Sequence, residues 1–287
     1  MSLILDHVSY VYDADTQMPV KALDDINLVI GEGEFIGLIG HTGSGKSTLV
    51  SHLNGLIKAT TGTVYYNGED IYDKDYDKKK LRSRVGLVFQ YPEHQLFEAD
   101  VFSDVCFGPK NLGLDDKQVQ LKAYEALKMV GIEDEYFYQS PFDLSGGQME
   151  KLALAKLVLA GCDVFLLDEP GKGMDYAFKE KLGMYLRSLC EQGKTVLLVS
   201  HDVEFCSKYS DVCGMFFDGH IVAVDDTRTF FLQNTFFTTA VRRMCRGLID
   251  AVTVEDVFEY LGVEEQGADN DFANKKENDN EKQVNIE

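Results

Sequence analysis

Residues Gly40-His41-Thr42-Gly43-Ser44-Gly45-Lys46-Ser47 follow the pattern G-x-x-x-x-G-K-[ST], and no other feature of this 287-residue chain restricts its fold so tightly. A loop of this kind must bring several backbone N–H groups onto phosphate oxygens. Gly40, Gly43 and Gly45 supply the conformations and the close approach that a Cβ would block. The anion then lies at the N-terminus of a helix beginning near Lys46, where unpaired N–H groups and the helix dipole favour negative charge. Lys46 adds a point charge to the β- and γ-phosphates, and the Ser47 hydroxyl suits Mg²⁺. The flanks agree with a nucleotide cradle running from Gly40 through Thr48. Phe35-Ile36-Gly37-Leu38-Ile39 is a buried-strand run, and Thr48 to Leu53 continues as helix, closed by Gly55.

Val164 to Leu167 is a continuous apolar strand of the kind a doubly covered parallel sheet buries, and Asp168 ends it where such sheets bind ligands. An isolated Asp-Glu pair would be a solvated strand end. After that strand, and with the glycine loop upstream, Asp168 is expected to hold Mg²⁺ through water and Glu169 to polarise the attacking water, in phosphoryl-transfer fashion. Thr195 to Ser200 is another buried strand, and His201 emerges from it on the same sheet edge. His201 is therefore expected to contact the γ-phosphate, a structural histidine being the alternative. Leu144-Ser145-Gly146-Gly147-Gln148 precedes a helical stretch reaching about Leu159. Ser145 caps that helix, and Gly146 and Gly147 leave its N-terminus bare for a second anion. A second phosphate site on a chain that already has one makes sense if it serves another nucleotide.

Together these motifs resemble the nucleotide-binding subunit of ABC transporters, in which two such subunits sandwich ATP head to tail. The resemblance covers roughly Leu3 to Asp226. It implies an α/β fold, a P-loop NTPase of ABC type: a RecA-like core sheet, an antiparallel β subdomain, a helical signature subdomain and here a small C-terminal α unit. It also implies that Tyr12 stacks on adenine, with Tyr10 an alternative on the same strand. Gln90 is implied to sense Mg²⁺ and the attacking water, Ser145, Gly146, Gly147 and Gln148 to bind the nucleotide, and Asp175 to act across the dimer. A narrower stretch, Phe89-Gln90-Tyr91-Pro92-Glu93-His94-Gln95-Leu96-Phe97 with Phe107-Gly108-Pro109-Lys110-Asn111, is similar to the ATPase of energy-coupling factor (ECF) importers, particularly the second A-type subunit. That resemblance implies an ATP hydrolase powering micronutrient import from the cytoplasmic face of the membrane. Its implied partners are a second A-type ATPase subunit, as homodimer or heterodimer, a transmembrane coupling subunit and a substrate-binding membrane subunit.

Pro92 ends a strand, and Leu96 and Phe97 are expected to dock a partner helix, unless they are core residues of the helical subdomain. Two stretches depart from the family pattern: Lys172, Met174 and Tyr176 around Asp175 are atypical, and Glu150-Lys151 replaces a customary basic pair. The expected organisation is an ATPase domain at 1–228 with a helical subdomain at about 91–160, a dimerisation unit at 229–263 and a disordered acidic tail at 264–287. In the dimerisation unit, Phe230, Phe231, Phe236 and Phe237 are expected to be covered by a partner's equivalent unit, or else by the chain's own core.

No apolar run approaches the roughly 18 residues of a membrane helix, and the N-terminus lacks a signal peptide's pattern. The net charge of −20 argues against nucleic acid and anionic lipid. Membrane association is thus expected through protein contacts, without direct insertion. Six cysteines without C-x-x-C or metal-ligand spacing fit a reducing cytosol. A soluble ABC ATPase acting on ribosomes or DNA is the alternative from another class, which fused twin domains or a long coiled-coil insertion would favour. An ordinary ABC importer or exporter subunit is the other, and the segment from Tyr91 to Asn111 decides against it.

Overall fold

The computed structural model describes residues 3–111, 113–171 and 174–263. The expectations for Lys172 and for the acidic tail lie outside the described residues. Two compact units are present, Met1–Thr238 and one from Thr239 onward.

The first unit opens with strands β1 (Leu3–Tyr12) and β2 (Val20–Ile30), and β3 (Phe35–Ile39) leads through the glycine loop into α1 (Lys46–Leu53). β4 (Thr61–Tyr66), β5 (Glu69–Asp70), α2 (Lys78–Arg84) and β6 (Val85–Val88) follow. Three helices then form an insertion: α3 (Val101–Asn111), α4 (Asp116–Met129) and α5 (Gly146–Ala160). The chain returns with β7 (Val164–Asp168), α6 (Tyr176–Glu191), β8 (Thr195–Ser200) and α7 (Val203–Tyr209). The hairpin of β9 (Val212–Phe217) and β10 (His220–Asp226) leads to α8 (Thr227–Gln233).

An antiparallel sheet has the order β2-β1-β4-β5, and a second sheet runs β10-β9-β3-β8-β7-β6. From β9 to β6 the second sheet is parallel, and every residue of β3, β6, β7 and β8 is buried. That is what unbroken apolar runs require, since helices cover both faces of such a sheet. The C-terminal ends of β3, β8 and β7 therefore lie side by side, delivering the glycine loop, His201 and Asp168 to one edge. The β9–β10 turn has Asp218 at φ 46° and Gly219 at φ 78°, both left-handed as a type I′ hairpin needs.

β2 starts at Val20, six residues before the apolar run at Ile26 that announces it. Lys21, Asp24 and Asp25 break the alternation, and Asp25 at φ 52° marks an irregular register against β1. In the helical insertion, Asp115 caps α4 through the Gln118 N–H, and Gly131 at φ 71° ends it. Val119, Ala123 and Leu127 pack with Leu96, Val105, Leu152 and Ala155. Leu96 is thus a core residue, contrary to its expected place in a docking pair, while Phe97 remains 54% exposed.

A second correction concerns the phenylalanines. α8, capped by Asp226, belongs to the first unit and contacts α7, β9 and β10. It buries Phe230 and Phe231, so the chain's own core covers them and no partner is needed. The second compact unit begins at Thr239, within the expected C-terminal unit rather than at residue 229. There Thr239 caps α9 (Ala240–Cys245) and donates to the Val252 carbonyl, and Thr253 and Asp256 form a capping box on α10 (Val254–Leu261). No helix among the described residues is long and apolar enough to cross a membrane.

Because Phe231 is fully buried under α8, Phe231→Ala should destabilise the chain by about 3–5 kcal/mol. Urea unfolding measures it, and a loss below about 1 kcal/mol would mean that α8 does not close the core.

Candidate active site

The glycine loop is held by contacts that exclude larger residues. A Cβ on Gly40 would collide with the Phe216 carbonyl, and Gly45, at φ 109°, would collide with the Ala22 carbonyl. The β9–β10 turn braces the loop directly, the Gly219 N–H donating to the Ser44 carbonyl at 2.9 Å. The Gly219 carbonyl accepts from the Asp24 N–H at 2.9 Å, and the His41 ring lies 5.2 Å from that of Phe217. α1 begins at Lys46 with no side chain capping it, so its first N–H groups stay open to an anion.

Charge under the loop is nearly stripped of water. Lys46 is 5% exposed, and its Nζ donates to the carbonyls of Gly40 and His41, each at 2.8 Å. Burial pulls its pKa down, against the attraction of Glu169 at 3.9 Å and of Asp168. Asp168 is 2% exposed, and burial pushes its carboxyl up, opposed by a hydrogen bond from Ser47. Its Oδ1 has no protein partner, nor does the buried Ser44 hydroxyl. The orphaned Asp168 oxygen, with the Ser47 hydroxyl that bonds the same carboxylate, makes a hard-oxygen set that fits Mg²⁺, which takes one or two carboxylates and completes its shell with water and phosphate. Among the described residues no group of three or more His, Cys, Asp or Glu side chains could hold a metal alone.

Glu169 follows β7 with φ 53°, a left-handed conformation costing a non-glycine residue about 1–3 kcal/mol. Its N–H donates to the Val199 carbonyl at 2.8 Å, and its Oε2 accepts from the His201 backbone N–H at 3.2 Å. The His201 Nδ1 lies 2.6 Å from the same oxygen. In this state His201 orients the carboxylate.

Two clefts open from this edge. One, of about 320 Å³, is bounded by Tyr12, the loop from Thr42 to Thr48, Gln90, Asp168 and Glu169. The Tyr12 hydroxyl lies 3.1 Å from Thr48 Oγ1, whereas Tyr10 packs its ring against His52 and the core. The other, of about 680 Å³, includes Ser145 to Gln148, Asp175 and again Gln90, which borders both. Ser145 and Gln148 form a capping box on α5. Asp175 caps α6 through the Phe178 N–H at 2.7 Å, a local role beside the expected one across the dimer.

Several site-bordering residues escape sequence reading. Asp218 and Gly219 border the first cleft, and their Asp-Gly pair signals a turn without saying what the turn supports. Glu150 accepts from the Gly171 N–H at 3.0 Å, and Lys151 sits 4.8 Å above the Phe178 ring. The atypical pair thus fastens the start of α5 to the segment after β7.

A buried carboxylate with a raised pKa destabilises the empty fold once ionised. Its favourable contribution is complete below the unfolded-state value and lost as pH rises through the higher folded-state value. Asp168→Asn should therefore raise the melting midpoint of the nucleotide-free chain near neutral pH, and the gain should shrink on acidification through the carboxylate range. Differential scanning fluorimetry across pH checks this, and a lowered midpoint at pH 7 would contradict it.

A family model described as ABC transporter matches residues 23–172. The energy-coupling factor transporter ATP-binding protein EcfA2 of Caldanaerobacter subterraneus is 43% identical over 81% of this chain and 82% of that protein. The protein of the same name from Acetivibrio thermocellus is 42% identical over 82% and 83%. Among solved structures, a dimeric ATP-binding cassette in a post-hydrolysis state, bound to ADP and Pi, has a TM-score of 0.71 at 28% identity, covering 78% of this chain and 98% of that one. The cbiO1 protein from Clostridium perfringens, part of the ABC transporter complex cbiONQ, has a TM-score of 0.70 at 27% identity, covering 91% and 98%. An antiparallel and a mixed sheet, a phosphate loop at the crevice and a helical insertion whose last helix begins at a capped glycine pair agree with these matches, and the chain belongs to the ABC transporter family, among its energy-coupling factor transporter ATP-binding proteins.

Proposed function

We propose that this chain binds ATP with Mg²⁺ in the cleft between Tyr12 and Glu169 and hydrolyses it to energise a micronutrient importer of ECF type. The observation that carries this reading is the buried set of Lys46, Asp168 and Glu169 beneath an uncapped helix N-terminus. Tyr12 stacks on the adenine, and the N–H groups from Gly43 to Thr48 hold the phosphates. Ser47, Asp168 and Gln90 are the residues that would hold Mg²⁺, which supplies charge neutralisation at the phosphate oxygens. Glu169 orients and polarises the attacking water, with His201 fixing the carboxylate until the γ-phosphate arrives. Such chemistry is positioning and charge stabilisation, which suits a site built largely from backbone donors and rigid strand ends.

The second cleft fits a nucleotide held by another subunit, because Ser145, Gly146 and Gly147 offer a helix N-terminus with no charged side chain of their own. A head-to-tail dimer with a second A-type subunit follows, Asp175 lying at its seam. Phe97 is an exposed aromatic in the segment that follows Gln90 and docks a transmembrane coupling subunit on the cytoplasmic face. A separate membrane subunit captures the substrate.

Glu169→Gln should retain ATP binding yet lose about two to three decades of turnover, as removal of one well-placed group of about 3–4 kcal/mol requires. Phosphate release by the assembled complex measures it, and near-native turnover would remove Glu169 from the catalytic role. Phe97→Asp should leave folding and ATP affinity unchanged but abolish co-purification with the membrane subunits. An unchanged yield of complex would remove Phe97 from the dock.

A further inference from the structure

The helical insertion contains a charge pair that the nucleotide site does not use. Asp104 on α3 is fully buried, and its Oδ1 accepts the backbone N–H groups of Phe97 and Glu98, each at 3.2 Å. Its Oδ2 accepts from Lys156 Nζ at 2.7 Å. Lys156 stands in the middle of α5, and its Nζ also donates to the Gln95 carbonyl at 2.6 Å and lies 4.8 Å from the centre of the Phe97 ring. Gln95 reaches the other way, its Nε2 donating to the Leu87 carbonyl at the end of β6 at 3.0 Å. Asp104, Lys156 and Leu87, which line neither cleft, thus fasten one short segment, 95–98, from both sides.

A buried carboxylate is tolerated when it is paired and its remaining lone pairs are filled, and both conditions are met at Asp104. The ammonium is equally committed, with two oxygens and an aromatic face around it. Such a cluster has one good arrangement, so its members move together. The rigid element it selects is α5, whose start at Ser145 lies roughly 16 Å along the helix from Lys156.

We propose that Lys156 and Asp104 are positioning residues of a clamp that makes segment 95–98 and the signature helix α5 one mechanical body. A push on the exposed Phe97 is then delivered to Ser145, Gly146 and Gly147, at the mouth of the second cleft. This rests on the reading that Phe97 docks a membrane subunit. The clamp itself lies within this chain and is tested separately from that reading.

The test uses the full chain, tagged and purified with the membrane proteins that accompany it. Lys156→Met leaves Asp104 buried without its cation and can cost folding, so the principal variant is Lys156→Met with Asp104→Asn, which keeps an acceptor for the two N–H groups. This double variant should retain ATP affinity and yield of complex within about twofold, while ATP turnover by the complex falls roughly tenfold, the size of an ordinary coupling energy between sites. Hydrogen exchange at the Phe97 and Glu98 amides should accelerate in the same variant. Lys156→Arg, which keeps charge and ring contact, should recover most of the turnover. A purely structural role would lower the melting midpoint and yield together, without separating turnover from assembly. Wild-type turnover by the complex carrying the double variant overturns the proposal, as does unchanged exchange at the two amides. If Phe97→Asp assembles normally, the docking reading fails instead, and the exchange measurement still decides the clamp.

Discussion

Lys46 and Asp168 are held under the crevice at the ends of β3 and β7, and each is nearly dry. Neither charge is comfortable. Burial lowers the pKa of the lysine and raises that of the aspartate, and one oxygen of Asp168 faces no protein donor. The fold bears this cost because the parallel sheet fixes the strand ends from which the glycine loop and Asp168 emerge. A polyanion carrying a hard cation relieves both at once, giving the lysine its counter-charge and the carboxylate its missing partner. The conformational oddities nearby serve the same arrangement. Glu169 takes a left-handed backbone to turn its carboxylate back towards Lys46 and His201. Gly40 and Gly45 leave room for the carbonyls of Phe216 and Ala22 that support the loop.

The two clefts share Gln90, which stands where β6 gives way to the segment ending at Phe97. From there, physical links run to both halves of the site. Gln95 and Lys156 tie the segment to β6 and α5, while Glu150 and Lys151 tie the start of α5 to the chain that follows β7. A change at the phosphate edge can thus reach the surface through hydrogen-bonded and packed residues. In an ATPase coupled to transport, that continuity offers hydrolysis a physical route to movement.

Much of the site was legible because its motifs fix conformation within a few residues. The glycine spacing, the apolar runs before Asp168 and His201, and the Ser145–Gln148 box each specify local backbone that survives into the fold. The Asp218-Gly219 pair likewise specifies its own turn, both residues taking positive φ. What escaped depends on partners far apart in sequence. Gly219 braces Ser44, and Lys156 meets Asp104, through contacts that no local pattern encodes. The phenylalanines of α8 misled for a related reason: their apolar surface says that something covers them, and composition alone does not say that β9, β10 and α7 do. Leu96 and Phe97 are adjacent and both apolar, yet one faces the core of the insertion and the other faces out.

The central claim is that the buried charges beneath the glycine loop form one preorganised receptor for ATP with Mg²⁺. Its most direct test is the melting midpoint of the full chain, titrated with ATP in the presence of Mg²⁺ or of a chelator, beside Lys46→Ala. Ligand at 100 times its Kd stabilises a fold by about 2.7 kcal/mol, roughly 5–11 °C for a domain of this size. The wild-type midpoint should climb by that order with ATP and Mg²⁺, climb less with chelator and stay flat in Lys46→Ala. A midpoint indifferent to ATP, or a Lys46→Ala variant that responds as the wild type does, would contradict the account.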